Sequence, residues 1–201
     1  MKTLLRPLSI VVLGIVLSCS SDPVGPNEKP EDELVFLRFA GTATPLESSV
    51  VTFWAVNGED REGRVFFLDQ QGQRGDEFVR LRVDATSLFR LPTGQSIAPG
   101  DSVLITIMVD PSRLVVTLLP SGLVFSSSRP AELRIRYDKA NLDYNDDGTV
   151  DSEDDDAEAR FAIWRQSLPG QPFVRLGSVR FDDDKRVEAN LTEFSRYAIS
   201  Y

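Results

Sequence analysis

The chain has 201 residues, a formal net charge of −9, one cysteine and no histidine. The lack of histidine excludes Ser-His and Cys-His catalytic triads and histidine metal ligands. A single cysteine cannot form an internal disulfide, and the acidic charge makes nucleic acid and anionic lipid surfaces poor partners. We therefore expect a fold that is held by its hydrophobic core and a protein that does not bind nucleic acid. The abundant acidic residues leave glycosidase chemistry by a carboxylate pair open, but no pair stands out, and we expect that the protein is not an enzyme.

The N-terminal segment has the organisation of an export signal. Lys2 and Arg6 provide a basic start, an uncharged apolar run follows over residues 8–17, and the small residue Ser18 ends the segment. The run is about half of the roughly 20 residues that a membrane-spanning helix needs. A basic start, a short apolar stretch and a small residue are typical of a signal peptide. We predict that residues 1–18 are a cleaved signal peptide.

The signal ends in the sequence Val16-Leu17-Ser18-Cys19. This sequence resembles the lipobox of bacterial lipoproteins, although Leu17 is bulkier than the usual residue at its position. The resemblance implies that a lipid is attached to Cys19 and anchors the chain to a membrane; an ordinary secretory signal with a chance cysteine is the alternative. Ser20 stands where an aspartate often marks retention in the inner membrane, so the outer membrane is favoured. The predicted location is the bacterial cell envelope, on the periplasmic or surface face.

The segment after the cysteine is rich in proline and nearly free of apolar residues. Residues 20–33 contain three prolines and many acidic side chains. Such a segment cannot bury enough apolar surface to offset the entropy lost on ordering. We predict that residues 19–33 form a lipidated, disordered tether that holds the folded part away from the bilayer.

Short runs of apolar residues predict an all-β fold. In the run 77–83, Val79, Leu81 and Val83 alternate with arginines, which is typical of a half-buried strand. The other predicted strands cover residues 50–56, 64–68, 102–109, 113–119, 132–137 and 161–165. Gly, Pro, Asn and Asp separate these runs, and many short strands favour antiparallel β-sandwiches. Only residues 153–160 hint at helical spacing, and they are too polar to pack as a helix.

The second half of the chain has a more specific order of features. Its segments are Pro120–Ser126, Arg129–Tyr137, Phe161–Arg165, Phe173–Ser178 and Leu191–Ile199. This order resembles the ZU-type β-sandwich that zona occludens proteins, netrin receptors and ankyrins share with bacterial relatives. The resemblance implies a sandwich over residues 119–201. Residues 34–118 form either a separate N-terminal β region or the other layer of one continuous domain.

The resemblance also raises the possibility of self-cleavage. Some members of that superfamily cleave their own chain at a His-Phe-Ser sequence, and the corresponding residues here are Glu193, Phe194 and Ser195. A glutamate is a weak base for a serine hydroxyl unless its pKa is raised. The favoured interpretation is that Phe194 and Tyr197 are core anchors, and cleavage between Phe194 and Ser195 is the least favoured function.

The strongest chemical pattern is an acidic loop inserted between two predicted strands. Residues 143–154 have the spacing of an EF-hand-type calcium loop, with Gly148 at the sixth position. The predicted ligands are Asp143, Asn145, Asp147, the backbone carbonyl of Thr149, Asp151 and Asp154. An aspartate at the twelfth position makes the loop resemble a dockerin repeat. Val150 is expected to tie the loop to the core.

Charge supports the same prediction. Residues 143–156 contain eight carboxylates and no cation, and two like charges about 4 Å apart repel by about 1 kcal/mol even in water. A bound calcium ion would relieve this repulsion, whereas the alternative is a solvated acidic hairpin tip. Because there is one such loop and no flanking helix pattern, we expect a structural ion rather than a switch.

The sequence therefore predicts a non-enzymatic, lipid-anchored envelope protein with a calcium-binding loop. It would act as a structural or interaction module with a protein or glycan partner. The alternative is a carbohydrate- or polysaccharide-binding module, in which Trp54 and Trp164 could line a sugar-binding face. A tryptophan within an apolar strand is more often part of the core.

Overall fold

The computed structural model describes residues 27–201, so the predicted signal peptide, Cys19 and the first part of the predicted tether lie outside the described residues. The described chain forms fourteen strands and one short helix. The strands are β1 (Glu28–Lys29), β2 (Val50–Val56), β3 (Arg61–Leu68), β4 (Arg74–Val83), β5 (Leu88–Arg90), β6 (Ser102–Val109), β7 (Val115–Leu119), β8 (Val124–Phe125), β9 (Ala131–Arg136), β10 (Ala162–Gln166), β11 (Phe173–Arg175), β12 (Ser178–Phe181), β13 (Arg186–Leu191) and β14 (Arg196–Ser200). The helix is α1 (Ser152–Glu158). Within residues 27–201, no helix is long and apolar enough to cross a membrane.

The strands form two large antiparallel sheets and one small one. The larger sheet has seven strands in the order β1-β11-β10-β14-β7-β6-β2, and the second has five in the order β12-β13-β9-β4-β3. Strands β5 and β8 pair with each other. The all-β prediction and its antiparallel sandwich are confirmed. Both large sheets combine strands from the two halves of the chain, since β7 pairs with β14 and β4 pairs with β9.

The core lies between the inner faces of the two large sheets. In β4, Val79, Leu81 and Val83 are buried as the alternation predicts, and Leu133 and Ile135 of β9 are buried beside them. One continuous cluster runs from Leu37 to Ile199. Residues 27–201 therefore carry a core of their own, and we expect this segment to fold when it is produced without the preceding residues.

Phe194 and Tyr197 lie deep in this core. Both are 0% exposed, and the ring of Phe194 packs edge-on against Phe125 with 4.8 Å between centroids. The Tyr197 hydroxyl donates to the backbone carbonyl of Glu193. A tyrosine that bonds back to the chain a few residues upstream is the tyrosine corner of Greek-key sandwiches. The interpretation of Phe194 and Tyr197 as core anchors is confirmed.

The outer faces of the two sheets differ in character. The five-stranded sheet presents ion pairs to solvent, such as Arg134 with Glu188 at 2.6 Å and Arg80 with Glu132 at 3.5 Å. The seven-stranded sheet is largely apolar on its outer face, with Arg196 and Gln166 among its polar residues. One end of that face is covered by the N-terminal segment in a second cluster, formed by Leu34, Phe36, Val115, Ala162, Trp164, Phe173 and Ala198.

The end of the predicted tether belongs to the folded part. Strand β1 pairs with β11, and the Glu31 carboxylate accepts a hydrogen bond from Arg196 at 2.7 Å and one from Gln166 at 2.9 Å. The Arg196 guanidinium, with the amide of Gln166, lowers the pKa of Glu31. These contacts offset the ordering entropy that the composition of residues 28–33 could not offset alone.

The chain also contains a helix where the sequence predicts none. Helix α1 begins directly after Asp151 and buries Asp154 and Ala157. The prediction that residues 153–160 are too polar to pack as a helix is wrong, because the buried carboxylate accepts backbone N–H groups and so loses little on leaving water.

Candidate functional site

The acidic loop connects β9 to β10 and leads into helix α1 at one end of the sandwich. It leaves the core after Tyr137 and returns to it at Phe161, and these two rings pack edge-on with 5.2 Å between centroids. The predicted insertion between two strands is therefore found, with a short helix as its second half.

The first half of the loop curls around the carboxylate of Asp143. The Oδ1 atom accepts a hydrogen bond from the backbone N–H of Asp147 at 3.1 Å, and Oδ2 accepts one from Gly148 at 3.0 Å. Gly148 has φ = +92°, a value that residues with a Cβ rarely adopt. A sharp turn at the sixth position is the one that an EF-hand-type loop requires.

Three further predicted ligands contact one another at the tip of the loop. The Asn145 amide donates to Asp147 Oδ2 at 2.9 Å, and Asp147 Oδ1 accepts from the Thr149 hydroxyl at 2.7 Å and from its backbone N–H at 2.9 Å. The Thr149 hydroxyl, together with its N–H and Asn145, lowers the pKa of Asp147. Asp147 therefore stays ionised well below neutral pH, as a calcium ligand must.

Asp154 braces the loop from below and is only 2% exposed. Its Oδ1 accepts from the backbone N–H groups of Tyr144 at 2.6 Å and Asn145 at 3.2 Å. Its Oδ2 accepts from the N–H of Asp151 at 2.9 Å, while Asp151 accepts from Glu153 at 2.8 Å. Asp151 and Asp154 also form a reciprocal capping box that starts helix α1.

This arrangement limits what each side chain could offer to a cation. No group of three or more His, Cys, Asp or Glu side chains within residues 27–201 is arranged to hold a metal ion. The carboxylates of Asp143, Asp147 and Asp154 accept N–H or hydroxyl groups of the loop instead. Each carboxylate has about four lone-pair sites, so Asp143 retains one on each oxygen. Asp154 Oδ1 accepts two N–H groups, which leaves its Oδ2 as the atom with room for an ion.

The loop is tied to the core by a residue that the sequence analysis did not single out. Val150 is 63% exposed, so the expectation that it anchors the loop is wrong. Tyr144 is 5% exposed instead, and its ring packs edge-on against Phe161 with 4.9 Å between centroids. Burial raises the pKa of Tyr144 to about 12. An aromatic residue at the second loop position was the available signal.

A second unpredicted residue, Glu158, fixes the far end of the helix. Its Oε1 accepts hydrogen bonds from the Tyr137 hydroxyl at 3.0 Å, from Lys185 at 2.5 Å and from Arg180 at 3.3 Å. Its side chain is 13% exposed. Both ends of the insertion are therefore attached to the sandwich.

The remaining predicted sites are placed differently. Ser195 is 3% exposed, and its hydroxyl has no hydrogen-bond partner within residues 27–201. The Glu193 carboxylate lies 3.9 Å from Arg165 and does not bond to Ser195. Trp164 is 2% exposed and belongs to the second cluster, whereas Trp54 is 58% exposed on β2.

Comparisons of the chain with protein-family models, with curated proteins and with solved structures find no match. The resemblances to the lipobox, to the ZU-type sandwich and to the dockerin loop therefore stay predictions from the sequence.

Proposed function

We propose that this chain is a non-enzymatic, lipid-anchored protein of the bacterial cell envelope whose acidic loop binds one structural calcium ion. The sequence of residues 1–19 supports the anchor at Cys19. The outer membrane is the favoured site, and the folded part would act there as a structural or interaction module toward a protein or glycan.

The observation that carries the calcium proposal is the path of the chain around Asp143. That carboxylate receives the N–H groups of the fifth and sixth loop residues, Asp147 and Gly148, and the helix starts at the tenth, Ser152. Calcium binds six to eight oxygen atoms in a flexible geometry. The Asp143, Asn145 and Asp147 side chains, the Thr149 carbonyl, Asp151 and Asp154 Oδ2 would supply them.

The ion would be structural because both ends of the insertion are already fixed. Tyr144 holds one end in the core, and Glu158 holds the other through Tyr137 and Lys185. A sensor loop moves two helices apart, whereas this loop is followed by a single helix of seven residues. Calcium would then stabilise the loop without moving the sandwich.

The first prediction concerns calcium binding, which is measured by calorimetric titration of residues 27–201. We expect saturable one-to-one binding that is lost in Asp147→Ala, because Asp147 lies among the predicted ligands and does not brace the core. Calcium at 100-fold above its dissociation constant should raise the free energy of unfolding by about 2.7 kcal/mol. Chemical denaturation with and without calcium measures this increase.

The matched control is Asp183→Ala, which removes the same charge from the exposed turn between β12 and β13. This variant should bind calcium as the parent chain does. Absence of heat, or heat that Asp147→Ala leaves unchanged, would return the loop to a solvated acidic hairpin. Loss of heat in both variants would mean that net charge, rather than the loop, governs the binding.

Trp54 supports the alternative, a carbohydrate-binding module. Its exposed ring lies on the outer face of β2, where an aromatic side chain could stack on a sugar. In this case we expect binding to a polysaccharide on a glycan array that is lost in Trp54→Ala but retained in Phe89→Ala, another exposed aromatic. Absence of binding to every glycan on the array would rule out this alternative. Self-cleavage has less support, because Glu193 pairs with Arg165.

A further inference from the structure

Strand β2 forms one edge of the seven-stranded sheet and pairs only with β6 among the described strands. In an antiparallel pair, successive residues alternate between bonding to the neighbouring strand and pointing their backbone groups away from it. The N–H of Val109 donates to Ser49 at 2.8 Å, and the N–H of Asn57 donates to Asp101 at 2.9 Å. These two bonds set the alternation, so the odd-numbered residues of β2 bond to β6 and the even-numbered ones point outward.

Some of the outward-pointing backbone groups of β2 already have hydrogen-bond partners. The Ser48 hydroxyl contacts the N–H and the carbonyl of Val50 at 3.1 and 2.6 Å, and the Val56 carbonyl accepts from Glu59 at 3.0 Å. Within residues 27–201, no backbone hydrogen bond or bridge from another segment reaches the outward groups of Thr52 and Trp54. The centre of β2 therefore presents two donors and two acceptors at an open edge.

Charge distinguishes this edge from the other edges of the two large sheets. Strand β1 consists of Glu28 and Lys29, β3 carries Arg61, Glu62 and Arg64, and β12 carries Arg180. Charged side chains on an edge discourage pairing with another strand. Strand β2 has the sequence Val-Val-Thr-Phe-Trp-Ala-Val and no charge. It is thus the edge, among those described, that lacks this protection.

The sheet face beside this edge carries four exposed apolar side chains around the threonines Thr52 and Thr106. Val50, Trp54, Leu104 and Met108 are 47%, 58%, 45% and 41% exposed. They lie on one face because Val50 stands opposite Met108 and Trp54 opposite Leu104 in the register. The N-terminal segment covers the other end of the same face but does not reach these residues.

We propose that β2 pairs in antiparallel orientation with β2 of a second copy of this chain, across a two-fold axis at Phe53. In this register Thr52 stands opposite Trp54 of the second copy, and the free donors of each copy meet the free acceptors of the other. A two-fold interface uses the same surface twice, and this edge is complementary to itself. The two apolar patches would become continuous across the axis.

Charge does not oppose a second copy at this face. The chain carries a formal charge of −9, so most of its surface would repel its own copy. Strands β2 and β6 contain no ionisable side chain, so this face lacks that local repulsion. Because one pair of strands buries less than a standard interface, we expect a dissociation constant of about 1 μM or weaker.

The test is sedimentation equilibrium on residues 27–201, from about 1 μM to about 1 mM chain, with a chelator present so that calcium binding has no part in the result. We expect a monomer–dimer equilibrium. Thr52→Lys should weaken it by at least about tenfold, because lysine on an edge strand opposes pairing. Thr52→Pro should weaken it by about 30-fold through loss of two interface donors, without removing a bond to β6.

The matched control is Thr106→Lys. Thr106 stands opposite Thr52 on the same face but one strand in from the edge, so this variant should dimerise within about threefold of the parent chain. Thermal unfolding of each variant verifies that the sandwich is intact. A monomer at every concentration would overturn the proposal.

Equal weakening of the dimer by both lysine variants would overturn edge pairing and indicate contact between the sheet faces. Glycan binding at Trp54 by a chain that stays monomeric would assign this face to a sugar.

Discussion

Replacing Asp154 with alanine is expected to lower the free energy of unfolding by about 2–4 kcal/mol, even without calcium. The substitution removes the acceptor for the backbone N–H groups of Tyr144, Asn145 and Asp151. Hydrogen bonds to a charged group contribute about 1.5–3 kcal/mol each, and a lost helix cap costs about 0.5–2 kcal/mol. Urea denaturation in the presence of a chelator measures the loss.

Two variants make this result specific. Asp155→Ala removes the same charge from an exposed neighbouring position on α1 and should change the stability by less than about 0.5 kcal/mol. Asp154→Asn keeps one carbonyl oxygen, which can still accept from Tyr144 and Asn145, so its cost should lie between the two. An equal, small effect of all three variants would show that the buried carboxylate does not hold the loop.

Replacing Phe194 with alanine is expected to lower the free energy of unfolding by about 3–5 kcal/mol. Phe194 is fully buried and packs against Phe125 at the turn that Tyr197 fastens to Glu193. Truncating a buried phenylalanine loses its transfer free energy and leaves a cavity in a core that relaxes only partly. The measurement is the denaturation midpoint together with its slope.

The control for this prediction is Phe89→Ala. Phe89 is 48% exposed on β5, so the same change of side chain should cost less than about 1 kcal/mol. A loss at Phe194 no greater than that at Phe89 would contradict its role as a core anchor. Intact chain in the mass spectrum of the parent protein would also count against cleavage after Phe194.

The two predictions test the stability of different parts of the molecule, the core of the sandwich and the acidic loop. Phe194 belongs to the sandwich, whereas Asp154 holds a loop that is braced before any ion binds. We therefore expect a calcium-free chain to remain folded, with the effect of calcium confined to the loop and α1. Folding without calcium would distinguish this protein from small metal-dependent domains, which unfold when the metal is removed.

The alternation of apolar and polar residues was enough to predict the fold class. In the run 77–83, a period of two with arginines on one face can bury its valines and leucine only as a strand. The spacing of residues 143–154 was likewise enough to predict the sharp turn at Gly148, which has φ = +92°. The calcium ion at this loop stays a prediction.

Tertiary structure alone decided the anchors of that loop. A helix of seven residues is unstable by itself, so α1 depends on partners that are distant in sequence, such as Lys185 for Glu158. The choice of Tyr144 over Val150 as the anchor depends on where Phe161 lies. The aromatic residue at the second loop position was a local signal, but the position of Phe161 is set by contacts between residues that are distant in sequence.

The same reason applies to β2 and to the tether. The sequence of residues 50–56 determined a strand, but whether its backbone groups are paired depends on the order of strands in the sheet, which is set by contacts between distant residues. Residues 28–33 look disordered by composition, and they are held by Arg196 and Gln166, which lie far along the chain. Periodicity is a local property that the sequence shows. Tertiary contacts between distant residues decide which strand edges stay unpaired and which polar segments are ordered.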